Sequence, residues 1–269
     1  MSVCASSTGK LEGRRIMVTR PAHQADNFCK LLAEAGATAL RCPAMRIAAP
    51  ADRASLERLV EQLDSFDFLM FNSPNAAHHG IAFIHAHRDI PGHLTLGAIG
   101  AKTAQAVAAW GYTVDVTPPV NFDSETFLQQ PSVANMQGKR VAILRGQDGR
   151  MLLGETLRQR GALVEFIETY RRLPPTPAEA EQIRQALHQN LDAIAVTSSE
   201  TLTNLINCLD SQGLERLSET LLVVGHPRIA AAAHNQDLKL LVTAADPSDN
   251  AMFATLCDHL HNDSNSDQP

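Results

Sequence analysis

The stretch "GKRVAILRGQDGRMLLGETLRQRGALVEFIE", residues 138–168, is written a second time in this chain. Its partner is "GRRIMVTRPAHQADNFCKLLAEAGATALRCP", residues 13–43. Both run Gly-basic-Arg, a short apolar strand, a polar turn containing Arg, a helix, then Gly-Ala and a second strand. Arg20 falls on Arg145, Gly36 on Gly161 and Ala37 on Ala162, and each difference (145 − 20, 161 − 36, 162 − 37) is 125. The same offset joins "DFLMFNSPNAAHHGI" (67–81) to "DAIAVTSSETLTNLI" (192–206), with Asn72 over Thr197 and Ser73 over Ser198. Farther on, "LGAIGAKTAQAVAAWGYTVDVTP" (96–118) answers "LVVGHPRIAAAAHNQDLKLLVTA" (222–244), with Gly100 over Gly225. Three collinear matches at one spacing mean that the chain holds two copies of one unit.

The unit is legible from its hydrophobic periods. Short β-rich runs ("IMVT", "FLMF", "LGAI", "VDVT", "VAIL", "AIAVT", "LLVV", "LLVT") alternate with amphipathic segments of helical length. In "QADNFCKLLAEAG", Phe28, Leu31, Leu32 and Ala35 recur at helical spacing, and Gly36 is a stop. Strands buried on both sides and alternating with helices predict an α/β protein with two doubly wound parallel-sheet domains and a cleft between them. Periodicity alone cuts the chain near residues 125–137.

In such folds ligands bind at the carboxyl ends of the strands, where helix N-termini present free N–H groups. The turns to watch are "TRPAHQ", "NSPNA", "GAKTA", "RGQDGR", "TSSET" and "GHPRIA". They supply Arg20; Asn72, Ser73 and Asn75; Thr103; Arg145, Gly146 and Arg150; Thr197, Ser198 and Ser199; Gly225 and Arg228. Each turn by itself reads equally as an ordinary helix cap, since Ser, Thr and Asn are preferred there. Six of them meeting at one place would make an anion-binding surface of backbone amides and arginines.

Composition narrows the classes. Hydrophobic residues are 44% of the 269, enough for a folded core. A formal charge of −6 argues against nucleic acid as partner, although a small anion needs only a locally positive cleft. Five cysteines without C-x-x-C pairing read as reduced thiols. No apolar run follows the start in "MSVCASSTGKLEG", and no run approaches the about 18 apolar residues of a membrane span, so the expectation is a cytoplasmic chain.

Sharper motifs fail. "RGQDGR" lacks the Lys-Ser/Thr ending of a P-loop, and neither G-x-G-x-x-G nor G-x-S-x-G occurs. His78, His79, His85 and His87 cluster without a Cys or carboxylate set at ligand spacing, so they read as a solvated helix face and no metal is expected. Trp110 and its apolar stripe read as core.

With these residues in view, the chain resembles the uroporphyrinogen-III synthase family. "RG-x-x-GR", a helix, "RGA" and a terminal Tyr-Arg are similar to that family's most recognisable stretch. "VTRP", "FNSPNA", "GAKTA", "FDSETFLQ" and "VTSSETLTNL" resemble its other signatures, in order, from about Arg14 to Leu260. The resemblance implies two α/β domains that interleave in sequence, 1–40 with 174–269 and 48–164. It joins them by a two-stranded hinge, 41–47 and 165–173, with the active site in the interdomain cleft. It adds Ser124 of "FDSETFLQ" to the binding residues and makes Tyr170 of "ETYRR" the cleft tyrosine, a phenol near the departing hydroxyl. Two positions depart from the pattern: Arg228 stands where the family's turn often has threonine, and Asn72 where it often has the threonine of "F-T-S". The implied activity is cyclising dehydration of hydroxymethylbilane to uroporphyrinogen III, with inversion of ring D. It would need neither cofactor nor metal, in a monomer supplied by hydroxymethylbilane synthase. The competing class is a non-catalytic hinged binding protein for a small anion, in which repeat and cleft would look alike.

Overall fold

The computed structural model describes residues 9–119, 123–147, 149 and 151–260. Its strands are β1 (Arg15–Val18), β2 (Thr38–Arg41), β3 (Arg46–Ala48), β4 (Phe68–Phe71), β5 (Thr95–Ala98), β6 (Arg140–Gly146), β7 (Leu163–Leu173), β8 (Ala193–Val196), β9 (Leu221–Val224) and β10 (Leu241–Thr243). The helices are α1 (Asp26–Glu34), α2 (Ala54–Glu61), α3 (Pro74–His85), α4 (Ala101–Ala108), α5 (Ser124–Phe127), α6 (Leu152–Gln159), α7 (Pro177–Leu187), α8 (Ser199–Asn207), α9 (Ser211–Glu219), α10 (Pro227–His234) and α11 (Asp249–Leu260). The chain divides into two units, Met1–Arg46 with Leu173–Pro269, and Ile47–Arg172.

In the first unit the strand order is β10-β9-β8-β1-β2, and the pairs are parallel. A strand sends successive side chains to opposite faces, and here both faces are covered. Ile16 and Val18 of β1 join the core formed with α1 and α11, while Met17 joins the one formed with α7 to α10. In the second unit the order is β3-β7-β6-β4-β5. Phe68 and Met70 of β4 face the core that holds Phe127 and Leu153, and Leu69 and Phe71 face the core that holds α2 and α3. Unbroken apolar tetrads are what strands buried on both faces require.

Registers repeat at the spacing of the sequence echo. Arg15 faces Thr38 and Arg140 faces Leu163, both members differing by 125 (140 − 15, 163 − 38). Ile16 faces Ala193 and Val141 faces Phe68, again 125 apart (141 − 16, 193 − 68). A polar clamp recurs as well. Asp192 accepts from Arg14 Nη1 at 2.7 Å and from the Arg15 amide at 2.8 Å, while Asp67 accepts from Lys139 Nζ at 2.8 Å and from the Arg140 amide at 2.9 Å. Gly36 and Gly161 end α1 and α6 at φ +89° and +92°, a conformation in which a Cβ is strained.

One expectation needs adjusting. "VDVT" does not form a strand; Val116 makes one bridge, to Gly97. The Asp115 carboxylate takes the Leu96 amide at 2.7 Å in place of a backbone carbonyl, and Pro118 and Pro119 follow without N–H groups. Residues 165–173 lie in β7, an interior strand of the second sheet with β3 on its far side.

Candidate active site

In the second sheet the chain winds outward in opposite directions from the adjacent strands β4 and β6. The crevice beyond the carboxyl ends at such a switch point is where open α/β sheets take ligands. A pocket of about 310 Å3 lies there. It is lined by Asn72 and Ser73 after β4, Ile99 after β5, Asp123 and Ser124 at α5, Arg145, Gly146, Gln147 and Gly149 at the end of β6, and Tyr170 and Arg172 of β7.

Each side chain there has a local cause. Ser73 is extended, its Oγ accepts the Ala76 amide at 3.1 Å, and Pro74 opens α3, so a Ser-Pro start caps the helix. Asp123 caps α5 by accepting the Thr126 amide at 2.7 Å. Tyr170 owes its place to a bulge. Arg145 pairs with Glu168 but Gly146 with Tyr170, leaving Thr169 as the extra residue on β7. Thr169 Oγ1 then bonds Arg145 O at 3.2 Å, and the Gln147 amide bonds Tyr170 O at 3.0 Å. The bulge breaks the pleat alternation, so Thr169 and Tyr170 are both buried.

Tyr170 is 2% exposed, and its hydroxyl lies 3.2 Å from Ser73 Oγ. His79 stacks on it at 6.0 Å, and the Arg172 guanidinium stands 5.9 Å from its centroid. On the strand side the ring crosses Gly146 so closely that a Cβ there would meet Tyr170 Cζ at 2.6 Å. Arg145 is buried; its Nε bonds Gly146 O at 3.2 Å, its Nη1 meets Met151 Sδ at 3.1 Å, and its guanidinium stacks 5.0 Å from the Phe166 ring.

Six expected residues, Asn72, Ser73, Ser124, Arg145, Gly146 and Tyr170, therefore line one pocket. Asn75 sits in the first turn of α3 and buried Thr103 in that of α4, and neither lines it. Arg150 lies outside the described residues. The others belong to the carboxyl edge of the first unit's sheet. Ser198 caps α8 through the Thr201 amide at 3.0 Å, between Thr197 and Ser199. Gly225 leaves room for Pro247, whose Cα a Cβ would meet at 2.8 Å. Arg228 is exposed in the first turn of α10, behind the capping His226. Arg20 is buried in an ion pair with Asp249, donates to Pro247 O at 3.0 Å and stacks on Phe28.

Asp123, Gln147, Gly149, Ile99 and Arg172 line the pocket without having been singled out. Gln147 and Gly149 stand inside the quoted "RGQDGR", Arg172 follows Tyr170, and Asp123 precedes Ser124, so adjacency was the available signal. The histidine reading needs one correction: His79 is not on a solvated face but stacks on Tyr170, while His85 bonds the Tyr112 hydroxyl. Among the described residues no group of His, Cys, Asp and Glu could hold a metal ion, and no helix is long and apolar enough to cross a membrane.

A family model described as uroporphyrinogen-III synthase HemD matches residues 26–254. The chain belongs to the uroporphyrinogen-III synthase family. Among relatives of this family, the uroporphyrinogen-III synthase of Salmonella typhimurium is 33% identical over 248 residues, covering 87% of this chain and 96% of that one. The Escherichia coli enzyme is 31% identical over 240 residues, with the same coverage of 87% and 96%. The family fold is also found in solved structures. A mutant uroporphyrinogen III synthase from Thermus thermophilus superposes with a TM-score of 0.61 at 19% identity, covering 93% of this chain and all of that chain. The Helicobacter pylori protein follows with a TM-score of 0.56 at 14% identity, covering 91% of this chain and 99% of that one.

Proposed function

We propose that this protein is a uroporphyrinogen-III synthase, a lyase that closes the linear tetrapyrrole hydroxymethylbilane by dehydration and inverts ring D. Family membership supports the reaction class. The observation that carries it onto this chain is the pocket at the β4–β6 switch point, where a buried tyrosine hydroxyl meets a serine beside a buried arginine.

In this reading the substrate's terminal hydroxyl leaves as water, taking one proton, and the pyrrole nitrogens push electrons to form an electrophilic azafulvene. Ring D attacks through its already substituted carbon, and the spiro intermediate fragments and recloses with the ring turned. Tyr170 donates to the departing hydroxyl, and Ser73 holds the phenol in place from the other side. Donation of this kind is worth about a hundred- to ten-thousandfold. The rest of the task is conformational, because a flexible chain must be held so that the spiro route outruns simple end-to-end closure. Hydroxyls, backbone amides and arginines suit a substrate with carboxylate arms. An enzyme that makes hydroxymethylbilane must supply it.

The test is to give the purified protein hydroxymethylbilane and resolve the uroporphyrinogen isomers formed. Isomer III, made faster than spontaneous closure, is the expected product. Isomer I alone at the spontaneous rate refutes the reading and returns the chain to the class of non-catalytic anion binders.

A further inference from the structure

The two units carry the same buried arginine in two different states. Arg20 follows β1 and Arg145 lies near the end of β6, 125 residues apart (145 − 20), and β1 pairs with β8 as β6 pairs with β4, at the same offset. In the first unit the guanidinium has its counter-charge within the chain. Asp249, the first residue of α11, pairs with Arg20, and its second oxygen accepts from Asn27 Nδ2 at 2.6 Å. Moving back by 125 from Asp249 gives Ser124, the first residue of α5 (249 − 125). The helices start alike too, since Ser248 and Asp123 accept the amides of Ala251 and Thr126. Moving forward by 125 from Asn27 gives Leu152 (27 + 125).

In the second unit the carboxylate and the amide that holds it are therefore replaced by a hydroxyl and an apolar side chain. Arg145 is 7% exposed, yet its partners are the Gly146 carbonyl, the Met151 sulfur and the face of Phe166. None of these carries a negative charge, and among the described residues no carboxylate pairs with it. Asp123 lines the same pocket but spends an oxygen on the Thr126 amide as the cap of α5. A guanidinium taken out of water without a counter-charge is costly. The costly arrangement occurs in the unit whose arginine lines an open pocket, and Ser124, 7% exposed, stands beside the same space.

From this comparison we infer that Arg145 and Ser124 form a carboxylate subsite. It receives one carboxylate arm of the substrate where the first unit holds the Asp249 side chain. The inference rests on the proposed function for the identity of that substrate. The first unit is the plugged form of the site, with its own carboxylate in place, and the second is the vacated form. A ligand carboxylate would then make charge-assisted bonds to a guanidinium already immobilised by stacking on Phe166.

The test restores the plug. Ser124→Asp places a carboxylate where the first unit has one, and Arg145→Met removes the charge it would meet. Binding of uroporphyrin III, a stable porphyrin with eight carboxylates, is followed by fluorescence, and melting temperature is read on the same samples. Ser124→Asp should bind roughly ten- to hundredfold more weakly than the wild type and melt at a higher temperature, because Arg145 gains its counter-charge. Ser124→Asn, of matching size without the charge, should bind at least roughly tenfold more tightly than Ser124→Asp. Arg145→Met should weaken binding to a similar degree. Adding Ser124→Asp to Arg145→Met should cause little further loss and no gain in melting temperature. Independent, multiplying losses overturn the inference, because they reduce Ser124→Asp to general repulsion. Undiminished binding by Arg145→Met overturns it as well. If Arg145→Met does not fold, the contrast between Ser124→Asp and Ser124→Asn decides, and equal binding by the two rejects the subsite. A wild-type protein that forms no isomer III rejects the proposed function instead, and the charge contrast at residue 124 is still read from porphyrin binding.

Discussion

Replacing Gly146 by alanine drives a methyl group into the ring of Tyr170. A Cβ at that position lies 2.6 Å from Cζ, 2.8 Å from the hydroxyl oxygen and 3.0 Å from Cε1. Carbon atoms in ordinary contact are about 3.5 Å apart, so the ring must recede by roughly 0.9 Å or the end of β6 must open. Little space is available behind it, since the residue is 2% exposed and His79 is stacked on the ring. Overpacking of this kind costs about 1–3 kcal/mol, which lowers the melting temperature by several degrees without unfolding the protein. The larger effect is on geometry. The hydroxyl sits 3.2 Å from Ser73 Oγ, near the limit of a hydrogen bond, and the displacement breaks it. Misplacement by about 1 Å near a reacting centre can cost roughly a hundredfold in rate. The assay is isomer-resolved turnover of Gly146→Ala, Tyr170→Phe and the double variant, each shown to be folded by its near-ultraviolet spectrum. Tyr170→Phe should lose at least about tenfold and let substrate escape to isomer I. If Gly146 acts through the phenol, the double variant turns over no more slowly than the slower single one. Losses that multiply, or a folded Gly146→Ala enzyme within about twofold of wild type, would refute the reasoning, the twofold margin being the smallest step that one lost hydrogen bond produces.

Three further outcomes are expected. Ser198→Ala removes the cap of α8, so its urea midpoint should fall by the equivalent of about 0.5–2 kcal/mol while turnover drops only about two- to twelvefold. A collapse of turnover in folded Ser198→Ala would mean that the serine does more than position. The Lys139 ammonium, then the Arg140 amide, hold the Asp67 carboxyl below its ordinary range. Its contribution to stability is therefore fully present above the unfolded value near about 3.9 and disappears as pH falls through the lower folded value. Asp67→Asn should flatten that acid limb in urea titrations between about pH 5 and 2, and an unchanged limb would remove Asp67 from acid unfolding. Burial pushes the Cys42 thiol up to about 11, so alkylation by iodoacetamide at neutral pH should label Cys42 only as the protein unfolds.

What the sequence determined on its own is whatever depends on neighbours along the chain. Apolar tetrads alternating with amphipathic helices specified parallel sheets buried on both sides, because a pleat with period two and a helix with period 3.6 leave different patterns. Gly36 and Gly161 marked helix ends, and Ser73 and Ser198 marked helix starts, because those groups act within one turn. The spacing of 125 was legible because it is written in matched residues, and the ordered turns were enough to point to the family. What only the tertiary structure decided involves groups that are far apart in sequence. Arg20 and Arg145 look alike in the chain, yet one is neutralised by Asp249, 229 residues away, and the other faces a pocket. The bulge at Thr169 arises from the pairing of β7 with β6, so local propensity could not show that Tyr170 turns inward over Gly146. "VDVT" reads as a strand, but the Asp115 carboxylate takes the place of the partner carbonyl at the sheet edge. Local preferences decide which elements form. Which side chain meets which across a sheet depends on contacts whose sequence separation leaves no pattern in either partner's neighbourhood.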